Sequence, residues 1–182
     1  MKNIFKGLVY ILFFFIVFIL FLPKENIYYF ALDKLKDEKI VLDHHNIKDE
    51  YFTLNVNNLS LKYDNIKVST AKELKFDLFL YKTQFTLNKI DVDSSFSKFV
   101  PNKIESISVT HNILDPLFLN IESKFELGFA KGYIDILNNT ISIEISVDKK
   151  FKTKYRYAIK QLKLIKDKSN EKEEVYSFEF KY

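Results

Sequence analysis

The side chains in this chain best suited to proton transfer or metal ligation are three histidines. Two of them, His44 and His45, stand beside Asp43, with Asp49 and Glu50 a few residues on. A metal site needs ligands that converge on one point, whereas adjacent residues on a strand point to opposite faces, so the two imidazoles cannot readily share an ion. An exposed turn between a helix and a sheet accounts for the segment more simply. His111 has no histidine neighbour. A serine hydrolase would need a histidine base placed by a carboxylate, and a phosphate-cradling loop would need clustered glycines, yet the chain holds only Gly7, Gly128 and Gly132. Asp91 and Asp93 are expected to share an exposed strand face opposite Ile90 and Val92, where solvated charge is the ordinary outcome. Cysteine is absent, which removes thiolate metal sites, a cysteine nucleophile, disulfides and a lipid-modified N-terminal cysteine. The residues therefore point to no catalytic, metal or cofactor-binding site. The expectation is a protein that is not an enzyme.

Charge narrows the partners. The formal net charge is +4, but Lys2, Lys6 and Lys24 flank one apolar stretch; without them the remaining basic residues exceed the 24 acidic ones by one. A nucleic-acid surface needs a clustered basic excess, and Arg156 is the only arginine available for bidentate contacts. No nucleic-acid partner is expected.

The elements that would carry any function begin with residues 7–23, which are uncharged and rich in phenylalanine. At about 1.5 Å per residue they make roughly 25 Å of helix, just enough for a bilayer core. Lys2 and Lys6 before this stretch favour a cytoplasmic N-terminus, 1–6, and an exported C-terminal bulk. Leu22-Pro23-Lys24-Glu25-Asn26 offers no small-residue cleavage site, so retention as a signal anchor is expected. Residues 24–38 follow as a short amphipathic helix, with Ile27, Phe30, Ala31 and Leu35 at helical spacing. Its Tyr28 and Tyr29 would either sit at the membrane interface or pack on the domain.

From 39 to 182 the period is mostly two. Phe52, Leu54 and Val56, then Leu59, Leu61 and Tyr63, then Leu74, Phe76, Leu78 and Leu80 alternate with polar residues. Phe85 and Leu87, Ile90 and Val92, and Ile107 and Val109 continue the pattern. This predicts half-buried strands of an antiparallel sheet. Segments 118–125, 133–137 and 141–147 add strands, the last two joined through Asn138-Asn139. Tyr155, Ala158, Ile159, Leu162 and Ile165 predict one C-terminal helix over 154–167. A charged loop over 166–174 and a final strand with Tyr176, Phe178 and Phe180 complete one mainly β domain, either a curved sheet or a sandwich. Its apolar strand faces must be covered by a second sheet, by helices, or by a ligand or partner.

Several of these features, in order, resemble the type II secretion protein N family, which is similar in turn to inner-membrane-anchored AsmA-like proteins. They are the anchor ending in Leu22-Pro23, the helix at Asn26-Ile27-Tyr28-Tyr29-Phe30, the strand 59–68, the small-residue segment 128–134 before a hairpin, and the helix, charged loop and terminal strand at 154–182. The chain is short for that family and poor in glycine, so a role in secretion does not carry over directly. The resemblance implies a Gram-negative envelope, a single-pass inner-membrane anchor and a periplasmic β domain. It also implies partners among the inner membrane and other envelope-complex proteins. The function expected first is a structural or assembly component of an envelope machine such as a type II-like secretion system, or a flagellar-motor accessory scaffold. A lipid-binding or lipid-bridging module with an apolar groove is the second.

Overall fold

The computed structural model describes residues 2–160, 162–167 and 173–182. Helix α1 (Lys2–Leu20) is apolar on nearly every side and leads through a bend at 21–23 into α2 (Lys24–Asp37). Pro23 sits immediately before α2, where its missing amide costs no helical hydrogen bond. Among the described residues no single helix is long and apolar enough to cross a membrane. Ile4–Leu20 and Lys24–Asp37, bent by 59°, meet that requirement together by length and composition. The first helix thus ends at Leu20, short of the expected limit at residue 23.

The remainder is mainly strand: β1 (Ile40–Asp43), β2 (Asn46–Asp49), β3 (Thr53–Tyr63), β4 (Ile66–Leu78), β5 (Lys82–Val92), β6 (Lys103–Asn112), β7 (Asp115–Phe125), β8 (Gly128–Asp135) and β9 (Thr140–Asp148). Two short helices, α3 (Lys149–Lys154) and α4 (Arg156–Ile159), precede β10 (Lys163–Asp167) and β11 (Glu173–Lys181). All strands join one open antiparallel sheet in the order β1, β3, β4, β5, β6, β7, β8, β9, β11, β10, with β2 continuing β1 along the same edge of β3. The antiparallel sheet agrees with the period-two pattern. The sandwich alternative does not, because the described strands make a single layer.

Three local expectations are corrected. The single helix over 154–167 is replaced by two short ones and a strand: Tyr155 leaves helical geometry at φ −118°, and 163–167 pairs with β11. Ladder partners there outweigh a weak local helix preference. The charged loop is narrower than 166–174, since 166–167 and 173–174 belong to strands and 168–172 lie outside the described residues. The segment at 44–45, expected as a turn between the helix and the sheet, is a bend, but it lies between two edge-strand pieces.

The breaks in alternation have a common cause. Val56 and Leu59, and likewise Leu87 and Ile90, are three apart yet face the same side of one continuous strand. Asn58 and Lys89 each take positive φ, near 53°. One left-handed residue reverses the side-chain phase without ending the strand. Those two residues lie level with Lys72 on β4, so the phase reverses along one line across β3, β4 and β5.

Candidate functional site

The register assigns each residue to a face. Leu54 pairs with Phe76, Phe76 with Phe85, Phe85 with Val109, and Val109 with Ile121; the line continues through Gly132 and Ile143 to Phe178. One position along, Thr53, Asp77, Gln84, Thr110 and Asn120 form the matching line of the opposite face. The sheet therefore has one apolar face over its full width and an opposite face that is mainly polar, with Phe118, Phe129 and Tyr133 also on it. At about 4.8 Å per strand, β3 to β11 spans roughly 34 Å. Gly132 belongs to this apolar line because a Cβ there would collide with the Ser142 carbonyl of β9. The close approach of β8 and β9 needs a residue without a side chain.

The polar face is knit by its own side chains. Thr53 Oγ1 donates to Asp77 at 2.7 Å, Asn88 Nδ2 donates to Glu73 at 3.1 Å, and Lys131 lies 3.7 Å from Glu122. Most of it is solvated or paired in this way, while the buried Asn55 Oδ1 has no hydrogen-bond partner among the described residues.

The apolar face is covered in two places. α2 lays Tyr28 and Leu32 over Leu54, Val56, Leu59, Ala71, Phe76 and Ile90. α3 and the residues after it lay Phe151, Tyr155 and Ile159 over Phe125, Val147 and Tyr176. The N-terminal cover is pinned by Lys24, which is 2% exposed and pairs with Asp49 at 2.8 Å. Between and beyond the covers runs an apolar strip. Phe85, Phe178 and Phe180 are 44%, 39% and 50% exposed, with half-buried Val109, Ile121, Ile134 and Ile141 on the same face. Covering each half-exposed phenylalanine would contribute on the order of 1 kcal/mol. Apolar exposure aligned along one face in this way differs from the single scattered residues of an ordinary surface.

The residues considered first for chemistry are dispersed, and most are engaged locally. The His44 ring lies 5.5 Å from the Tyr28 ring, and its Nδ1 is 3.3 Å from the Tyr28 hydroxyl. His45 is exposed beside it. His111 Nε2 donates to the Pro116 carbonyl at 3.2 Å, clamping the β6–β7 turn. Asp43 pairs with Lys62 at 2.6 Å, and Glu50 with Lys48 at 2.6 Å. The Lys48 ammonium, by hydrogen bond and charge, holds the Glu50 carboxyl below its ordinary range. Asp93 is likewise lowered by the Ser95 backbone amide that it accepts, capping a short 3-10 turn, while Asp91 is exposed on β5. Among the described residues, no group of three His, Asp or Glu could hold a metal ion.

Residue-type reasoning missed the Lys24–Asp49 pair, whereas an uncovered apolar face was among the alternatives that it left open. The first joins a helix to a strand, with no local sequence signal. The second was signalled by apolar residues filling one face of far more strands than two short helices can shield. Comparison of the chain with protein-family models, characterised proteins and solved structures returned no match.

Proposed function

We propose that this protein is a membrane-anchored, non-enzymatic module of a bacterial envelope whose open sheet face holds lipid acyl chains. The observation that supports it is the apolar strip running across β5–β9 and β11 between the two helical covers. A hydrocarbon chain needs apolar contact and no hydrogen-bonding partner, which such a strip offers along its length. α1 would be the inner-membrane anchor, with the sheet in the periplasm as Lys2 and Lys6 imply.

The sequence places an assembly component first and a lipid module second; the uncovered face favours the reverse order. Assembly through sheet extension would use an inviting free edge. Of the two outer edges, β10 is five residues long with a register shift between Leu164 and Lys166, and β1 and β2 are four residues each with a break at 44–45, features that discourage a new strand from adding. The likeness to type II secretion protein N and AsmA-like proteins is compatible with either role.

A photo-crosslinking residue placed at Phe85 or Ile121, on the apolar strip, should give phospholipid adducts in cells, identified by mass spectrometry. The same residue at Thr86 or Ser108, on the polar face, should not. Adducts to protein alone at Phe85 and Ile121 would return the assembly role to first place. Replacing His44, His45 and His111 together by Gln should leave the cellular phenotype intact if the protein works by binding. Loss of phenotype with folding preserved would make an acid–base or metal site the leading reading.

A further inference from the structure

The strands alternate in direction, so their connections fall into two rows, one at each end of the sheet. One row contains the β2–β3, β4–β5, β6–β7 and β8–β9 turns and the end of β11. Turns at a water-exposed end ordinarily carry Gly, Asn, Asp or Ser at their tips. Here Asn138 and Asn139 fit that rule, but the tips also carry Tyr51, Tyr81, Ile113, Leu114, Ile136 and Leu137, with Leu114 85% and Leu137 70% exposed. Residues 79–81, 113–114 and 136–137 contain no charge.

These turns are joined into a ridge. The amide of Leu78 donates to the Phe52 carbonyl at 2.8 Å, that of Ile113 to Tyr81 at 3.0 Å, that of Ile136 to Leu117 at 3.0 Å, and that of Tyr182 to Asn139 at 3.0 Å. Each bond ties one connection to the next, so the apolar tips are held together at one end. α1 joins the domain at this same end: the buried Lys24 that follows it pairs with Asp49, directly before the β2–β3 turn. The other end differs. Its connections mix Asp64, Lys98 and Glu126, with Lys154 3.7 Å from Glu126, among exposed Phe99, Val100 and Tyr157, and among the described residues no apolar helix joins the domain there.

We infer that the turn row beside α1 seats in the outer surface of the bilayer that α1 enters, planting the sheet upright with its apolar strip opening at the lipid. The anchor brings this end to the membrane, and tyrosine and aliphatic tips suit the headgroup boundary, where one end of a ring is apolar and the other wet. Lys48, Lys82 and Lys181 near the row are offset by Glu50, Asp77, Asp115 and Asp135. The seating is therefore apolar rather than electrostatic, and neutral lipid suffices. This inference rests on α1 being the anchor and deepens the lipid-holding role by giving the strip an entrance.

The chain has no tryptophan, so a single introduced one reports alone. The full-length protein carrying Leu114→Trp or Leu137→Trp, reconstituted into phosphatidylcholine vesicles with brominated acyl chains, should show blue-shifted emission and loss of intensity. Both effects should persist at high salt. Ile66→Trp, at the opposite end and 63% exposed in the native residue, should keep its intensity, and Phe14→Trp in α1 should lose it. Intact emission from Leu114→Trp and Leu137→Trp alongside a quenched Phe14→Trp would overturn the seating and leave the anchor standing. Intact emission from Phe14→Trp as well would overturn both. Equal quenching of Ile66→Trp would mean that the sheet lies flat, and quenching abolished by salt would mean an electrostatic contact; either also overturns the inference.

Discussion

The two faces of this sheet are made by the same strands, residue by alternate residue, yet they solve solvation differently. The polar face is largely satisfied within one layer, because Thr53 and Asp77, Asn88 and Glu73, and Lys131 and Glu122 reach each other directly. The apolar face has no such lateral solution. Neighbouring side chains shield one another only partly, and full burial needs a second layer. Helices provide that layer over Phe76 and over Phe125 but not over Phe85 or Phe178. A period-two sequence therefore defines a face to be covered without defining what covers it.

The sharpest test of that contrast is Phe76→Asp against Asp77→Ala. Phe76 is 4% exposed and stacks on Phe85 with ring centroids 4.4 Å apart. A carboxylate there loses the ring's burial and leaves a charge in an apolar layer, so a loss of about 4 kcal/mol or outright unfolding is expected in chemical denaturation. Asp77→Ala should cost only about 1 kcal/mol, the worth of its bond from Thr53. Equal effects would mean that the face assignment is wrong.

The helical cover is the next point of attack. Asp49→Asn leaves the buried Lys24 ammonium without its counter-charge, and a loss of about 2 kcal/mol is expected, since Asp49 itself is partly exposed. Amide exchange should speed up in α2 before the sheet opens. Uniform acceleration across all strands would show that α2 and the sheet unfold as one.

On the uncovered strip the same kind of change should be milder. Phe85→Ser should lower stability by about 2 kcal/mol, since the ring is half in water but stacks on Phe76, while removing phospholipid adducts from a probe at Ile121. A loss as large as that of Phe76→Asp would show that Phe85 is covered in the working protein by something other than lipid.

The smallest expected effect is a pH dependence at the β8–β9 turn. Asp135 accepts from the side chain and backbone amide of Asn138 at 2.8 and 2.9 Å, and these bonds hold its carboxyl below the ordinary carboxylate range. A lowered value in the folded state gives support that is present above the unfolded-state value, about 3.9, and lost as pH falls through the folded one. The Asn138 amide signal should therefore stay in place from about pH 7 to about pH 4 and shift only in stronger acid. A shift centred at or above about pH 4 would show that the clamp is absent.

The sequence by itself determined the mainly β character, the antiparallel pairing and the apolar N-terminal helix. Each rests on local information: period two in Phe52–Val56 and Leu74–Leu78, and the unbroken apolar run after Lys6. It also marked β3 and β5 as interrupted, but could not tell two strands from one strand with a left-handed residue, because Asn58 and Lys89 take that geometry only where the neighbouring ladder holds it. Tyr155 and 163–167 were misread for a similar reason, since helical spacing says nothing of a free edge on β11 that can pair with them. The candidate site was the least legible part. Whether Phe85 and Phe178 are covered depends on where α2, α3 and α4 come to rest. The gathering of Tyr81, Leu114 and Leu137 at α1's end depends on the order of strands and on the Lys24–Asp49 pair. Those contacts join residues far apart in the chain, and only the folded sheet brings them together.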